Sequence, residues 1–368
     1  MKLGTVPTVS IGNAVAILGD MYVKAICGGV AFRKLPSVML WGPPGVGKSQ
    51  GIRQMAEKIE AATGKRTAIT DVRLLLFNPI DLRGIPTANA DKTLAVWLRP
   101  QIFQMDSSRD VVNILFLDEI SAAPQSVQAA AYQITLDRRI GEHALPDNCI
   151  VLAAGNRTTD RSVAVKMPKA LANRLLHLEI EDSFSSWRQW AVRAGIHPLV
   201  LGFLSFRRDC LMQASSGADD LAFATPRSWE MVSNLLYTVG ETSETVYPLV
   251  AGLVGTGMAV EFTGWQEVYG TLPKIEDIFA GKPAAVPEKP DALYALISSM
   301  THYASKHRRE LAAIENSIVY ASRLPPDFTA ALLKDYMYME EDYRKKLLGM
   351  PAFSKWISQK GHLLNGTV

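Results

Sequence analysis

"SVMLWGPPGVGKSQ", Ser37 to Gln50, is the stretch on which the reading of the fold turns. Residues 37–41 are a short apolar run bounded by Pro36 and Gly42, which predicts a buried strand. The next eight residues, Gly42 to Ser49, fit G-x-x-x-x-G-K-[ST]. Glycines in such a loop let backbone N–H groups turn inward around phosphate oxygens. A helix that starts at once presents the positive end of its dipole to the same anion. Residues from Lys48 to Ala62, ending near Gly64, supply that helix. The expected phosphate cradle is therefore Gly42, Pro43, Pro44, Gly45, Val46, Gly47, Lys48, Ser49 and Gln50. In it Lys48 can bridge the outer phosphates of a nucleotide and Ser49 can ligate a magnesium ion.

Outward from this loop the order strand, turn, helix recurs. Further strands are expected at 67–72, 112–117, 149–154 and 175–180, with helices between them. Residues 1–35 read as a short strand-like lead and one helix. Such alternation predicts an α/β fold, a mostly parallel sheet flanked by helices. In a parallel sheet, ligands bind outside the carboxyl ends of the strands. There the run "VVNILFLDEISAAPQ" places two acids, Asp118 and Glu119, directly after the apolar Ile114 to Leu117. Buried charge is costly unless something pairs with it. Asp118 can hold Mg²⁺ through water, and Glu119 can orient or deprotonate an attacking water. The bland alternative is a pair of solvated acids opening a helix, a position that acids favour. A third strand, Ile150 to Ala153 in "CIVLAAGNRTTDRS", ends in Asn156. An amide there can contact both the water and the terminal phosphate without adding charge.

Two segments interrupt the alternation. Residues 78–100 show little periodicity and carry loop-favouring Pro and Gly; residues 137–148 read as a short hairpin turning near Gly141. Past residue 182 the strand signal fades and helical periodicity takes over. The expected organisation is an α/β nucleotide-binding domain at 1–181 with those two inserts, then an all-α lid domain at 182–279. An Ala/Pro-rich linker at 280–292 and a C-terminal helical extension at 293–368 complete it. With 368 residues, 48% of them hydrophobic, the chain can bury a sizeable core. Its net charge of +3 is too small to argue for nucleic acid. Cys27, Cys149 and Cys210 are widely spaced, as reduced thiols are rather than a disulfide or zinc set. The apolar N-terminal stretch carries Asp20 and Lys24, and the run at 249–260 is too short to cross a bilayer. The expectation is a soluble, cytoplasmic protein without a membrane partner.

Phosphate loop, "LFLDEI", Asn-ended strand and helical second domain occur in the order of the AAA+ ATPases, and residues 10–270 resemble that family. The MoxR-type group is most similar, through "DEISAAPQSVQAAAYQITLDRRIGEHALP", "AAGN", "MPKALANRLLHLEI" and "TPRSWE". The resemblance implies ATP and Mg²⁺ as ligands and a homo-oligomeric ring, usually a hexamer, with ATP between subunits. It implies an arginine finger at Arg174 and a second sensor at Arg227, each of which read alone is an ordinary surface arginine. Arg138, Arg139, Arg157 and Arg161 are further candidates for contacts between subunits. It also implies a chaperone-like remodeler of a protein client, acting with a separate von Willebrand factor A domain protein. Trp97 and Arg99 in the first insert, and His143 in the second, are candidate exposed residues for gripping that client. Trp97 reads equally well as a core anchor.

A competing resemblance links "NRTTDRSVAV" and "KALANRL" to the McrB-type restriction GTPases, where Asp160 could read a guanine edge. A nucleic-acid-associated motor is the related alternative. Against both, the chain shows no recognisable DNA-binding module and no basic stripe. A scaffold that assembles but does not turn over is disfavoured by Glu119, the water-activating acid.

Overall fold

The computed structural model describes residues 6–157, 172–213, 221–241, 243–340 and 343–364. The chain divides into two compact units, 1–183 and 184–368.

In the first unit, strand β1 (Thr8–Ser10) leads into helix α1 (Ile11–Cys27). The Ser10 side chain caps this helix by accepting from the Asn13 N–H at 3.2 Å. β2 (Val38–Trp41) and α2 (Lys48–Thr63) flank the phosphate loop, followed by β3 (Arg66–Arg73). β6 (Val111–Asp118), α4 (Gln125–Asp137), β9 (Cys149–Gly155) and β10 (Leu176–Glu181) complete the layered core. Six strands form one sheet in the order β1-β10-β2-β9-β6-β3, every neighbouring pair parallel. Helices cover both faces, which is why the central strands are apolar throughout rather than alternating. Val38, Leu40, Ile114, Phe116, Ile150 and Leu152 face α1 and α2. Met39, Leu115, Leu117, Val151 and Ala153 face α4 on the other side. Edge strand β3 has a neighbour on one side alone and is largely exposed.

The 78–100 segment is more ordered than its sequence implies. It holds a short helix α3 (Pro79–Arg83) and an antiparallel hairpin, β4 (Ile85–Ala88) with β5 (Ala95–Leu98). The Asn89 carboxamide organises the hairpin loop, accepting from the N–H groups of Thr93 (2.9 Å) and Leu94 (3.2 Å). Pro86 and the loop-like composition hide this strand pair from a pattern search. The second insert is the hairpin β7 (Arg139–Ile140) with β8 (His143–Ala144), as its sequence implies.

The second unit is helical throughout its described residues: α5 (Phe184–Ala194), α6 (Pro198–Phe206), α7 (Pro226–Val239), α8 (Ser243–Val254) and α9 (Thr256–Tyr269) come first. α10 (Ile275–Phe279), α11 (Pro290–Lys306), α12 (Leu311–Ala321), α13 (Pro326–Tyr338), α14 (Tyr343–Leu348) and α15 (Pro351–Lys360) follow. An aromatic cluster of Phe203, Trp229, Phe262 and Trp265 fills the first part. α11 packs on α6 from one side and on α13 from the other. A buried ion pair also crosses between the two parts: Arg188 on α5 donates to Asp335 on α13 from Nε (2.8 Å) and Nη2 (2.6 Å). Cys27 is exposed, Cys149 and Cys210 are buried, and all three are free thiols. Among the described residues no helix is long and apolar enough to cross a membrane.

Candidate active site

The site is assembled from the carboxyl ends of three adjacent strands, β2, β9 and β6. Their register aligns these ends: Trp41 pairs with Gly155, and Leu117 with Ala153. At the first end the chain must leave the sheet at Gly42, where a side chain is excluded. A Cβ there would stand 2.7 Å from the Ile180 carbonyl oxygen. The loop closes on α2 through Gly47, whose φ of +97° suits glycine and few other residues. Val46 turns its side chain into the core, so what it offers a ligand is backbone. Pro44 and Gln50 are exposed.

Lys48 is buried, with its Nζ donating to the carbonyls of Gly42 (2.6 Å) and Pro43 (3.0 Å) and to Asn156 Oδ1 (3.3 Å). One ammonium thus ties the phosphate loop to the Asn-ended strand. The Ser49 hydroxyl donates to Asp118 Oδ2 at 3.1 Å. The other oxygen of Asp118 accepts the Glu119 N–H at 2.8 Å. Glu119 has a left-handed backbone, φ +57°, rare for a residue with a side chain and worth about 1–2 kcal/mol of strain. The Ala122 N–H on the Glu119 carbonyl (3.0 Å) and the Ile120 N–H on Ala154 (3.0 Å) hold that turn. Asn156 is positioned by its own N–H, which donates to Ser121 Oγ at 2.8 Å.

Lys48, Ser49, Asp118, Glu119 and Asn156 therefore come together as their spacing implies. Two further residues belong with them. Ser121 holds Asn156, and its only sequence signal is its place two residues after Glu119. Asp71 on β3 carries a carboxyl raised above its ordinary range, first by burial and then by the charge of Asp118, with Arg73 and Arg53 opposing. Nothing in the edge-strand sequence marks Asp71.

The arginines are distributed differently. Arg174 occupies an exposed turn just before β10. Arg227 lies in the second unit, exposed in the first turn of α7 after the Thr225 N-cap. Arg138 bonds the Cys149 carbonyl, Arg139 donates to Glu142 of its own hairpin (2.9 Å), and Arg157 pairs with Glu179 on β10. Arg161 and Asp160 lie outside the described residues. Arg99 is exposed, but Trp97 and His143 are half-buried rather than surface residues. The two inserts dock on each other: His143 Nε2 lies 2.8 Å from the Trp97 carbonyl, and Gly141 approaches the Arg83 carbonyl. Beside them an open groove of about 350 Å³ is lined by Leu76, Phe77, Asp81, Pro100, Gln101 and Ile102.

A parallel sheet with a phosphate loop at one strand end, and an acid pair and an asparagine at the next two, defines a P-loop nucleoside triphosphatase. Residues 38–178 match the model of the AAA family, "ATPase family associated with various cellular activities". Over those residues the chain is similar to an AAA ATPase domain, which implies nucleoside triphosphate hydrolysis. No curated protein matches the sequence. Similar solved structures include a candidate ATPase of Cytophaga hutchinsonii, at 13% identity over 92% of this chain and 84% of that one, TM-score 0.31. A RuvB variant of Thermotoga maritima is 15% identical over 79% and 84%, TM-score 0.35. NtrX of Brucella abortus in complex with ATP is 15% identical over 94% and 69%, TM-score 0.36.

Proposed function

We propose that the chain is a ring-forming, MoxR-type AAA+ ATPase that uses ATP to remodel or activate a protein partner. The reading rests on one observation above the others, the joining of Lys48 to Asn156 and of Ser49 to Asp118 at three adjacent strand ends. Lys48 meets the outer phosphates of ATP, and the backbone from Gly42 to Gln50 wraps them. Ser49 Oγ and Asp118 Oδ2, 3.1 Å apart, are hard oxygen donors of the type Mg²⁺ takes alongside phosphate oxygens. Held there, the ion would supply charge neutralisation for the phosphate oxygens. Glu119 accepts the proton of the attacking water, and Asn156 orients that water against the terminal phosphate. In a ring, Arg174 of one subunit reaches the site of the next and stabilises the charge of the transition state. Arg227, on the lid at 182–279, reports nucleotide state. The docked inserts at 78–100 and 137–148 bear on the client, and a von Willebrand factor A domain protein is the proposed co-acting chain.

Hydrolysis of ATP and GTP measured side by side tests the nucleotide. Preference for ATP is expected, and a clear preference for GTP would replace this reading with the restriction-GTPase one. Mixing Arg174→Ala chains with Glu119→Gln chains tests the ring. Partial recovery of turnover is expected, since each mixed interface can restore one intact site, and no recovery counts against Arg174 acting between subunits.

A further inference from the structure

Trp41 and His177 are not part of any motif, yet they join the phosphate loop to the turn that carries Arg174. Trp41 is the last residue of β2, next to Gly42. Its indole N–H donates to His177 Nδ1 at 2.9 Å, and the two rings lie edge to edge and near-coplanar, with centroids 6.1 Å apart and planes 18° apart. An indole nitrogen can only donate, so Nδ1 is the acceptor and the ring proton sits on Nε2. That Nε2 lies 2.7 Å from the Ala172 carbonyl and donates to it. The same carbonyl accepts the Leu175 N–H at 3.2 Å, closing a turn whose two central residues are Asn173 and Arg174. Both are exposed, and Arg174 projects from a turn whose carbonyl is held twice. The chain of contacts therefore runs from the residue before the phosphate loop, through one imidazole of set tautomer, to the base of the Arg174 turn.

We propose that Trp41 and His177 are positioning residues for hydrolysis, holding Arg174 in register with the phosphate loop of its own subunit. A nucleotide that shifts the Gly42 end of β2 thereby moves the arginine offered to the neighbouring site. The inference rests on the reading of Arg174 as a residue acting across the ring. Misplacing a charge-stabilising group by about 1 Å costs on the order of 100-fold in rate. Its loss lowers kcat rather than raising KM when it acts in the transition state alone.

The test is steady-state ATP hydrolysis by full-length chains carrying Trp41→Phe, which keeps a ring and loses the N–H, and His177→Phe. Each is made in the native and in the Arg174→Ala background. Expected is a kcat reduced roughly 10- to 100-fold with KM for ATP changed no more than about twofold. In the Arg174→Ala background neither substitution should lower kcat further. His177→Gln, which can still donate to the Ala172 carbonyl, should recover much of the loss of His177→Phe. Trp41→Phe with unchanged kcat, a loss that persists undiminished without Arg174, or a His177→Gln chain as slow as His177→Phe overturns the proposal and leaves the arginine reading standing. An Arg174→Ala chain with full turnover overturns the arginine reading, and this one with it. Because an unfolded fraction lowers apparent kcat without changing KM, the folded fraction of each variant is measured by its melting transition and by equilibrium ATP binding, and kcat is taken per folded chain.

Discussion

Replacing Asp335 by Ala should be among the most damaging single changes in the second unit. Asp335 is fully buried and accepts three hydrogen bonds: from Arg188 Nε (2.8 Å), Arg188 Nη2 (2.6 Å) and Thr301 Oγ1 (3.1 Å). The Arg188 side chain is 11% exposed, so its charge has little water to fall back on. Without the carboxylate its one remaining described partner is Ser205 Oγ at 2.6 Å, a neutral group. Breaking a buried pair from one side costs about 3–5 kcal/mol, most of it the penalty of the charge left behind. For a unit of this size each kcal/mol moves the melting midpoint by about 2–4 °C, so a fall of roughly 6–20 °C is expected. Thermal and urea unfolding of the full chain, followed by tryptophan fluorescence, measures it; four tryptophans of the second unit, Trp187, Trp229, Trp265 and Trp356, lie in its buried clusters. The double change Arg188→Met with Asp335→Leu removes both charges and should recover most of the loss. If the single change costs under about 1 kcal/mol, or the double is as unstable as the single, the charge reasoning is wrong.

Glu119→Gln should lower ATP turnover by about 100- to 10,000-fold while nucleotide affinity is retained, as read by single-turnover hydrolysis and equilibrium binding. Gly42→Ala brings a methyl to 2.7 Å from the Ile180 carbonyl; forcing β2 and β10 apart should cost about 1–3 kcal/mol and weaken ATP binding, seen together in a melt and a titration. His302 is pushed down to about 4, by burial first and then by Lys306 and His197 against Glu241. The unfolded chain therefore binds more protons than the folded one between about pH 4 and 6.5, and stability is lost as pH falls through that window. His302→Phe should flatten the dependence, and denaturation midpoints recorded across that range would show whether it does. Asp118→Asn keeps an oxygen toward Ser49 but loses the charge, so the Mg²⁺ concentration for half-maximal hydrolysis should rise at least tenfold.

Much of the site was legible because its signals are local. Gly42 to Ser49, "FLDEIS" and "AAGN" each combine an apolar strand with a polar residue at its end, and a parallel sheet leaves such ends on one side. The helices α1 and α2 follow from 3.6-residue periodicity and from a Ser cap and a Gly start. Strand order, by contrast, is set by pairings between distant segments. It is the order β2-β9-β6 that puts Asn156 between the phosphate loop and the acids. The β4–β5 hairpin is not legible in the sequence because Pro86 and a six-residue loop mask its alternation. His143 is half-buried where its ring meets the Trp97 carbonyl of the other insert, a contact that neither segment encodes alone. Arg188 and Asp335 are 147 residues apart, and Trp41 and His177 136 apart. A lone arginine or histidine in a helix or strand carries no mark of its partner. The sequence alone determined the chemistry offered at each strand end. The tertiary structure decided which of those ends meet and what anchors the exposed arginine turn, because buried hydrogen-bond partners are chosen by packing across the chain rather than along it.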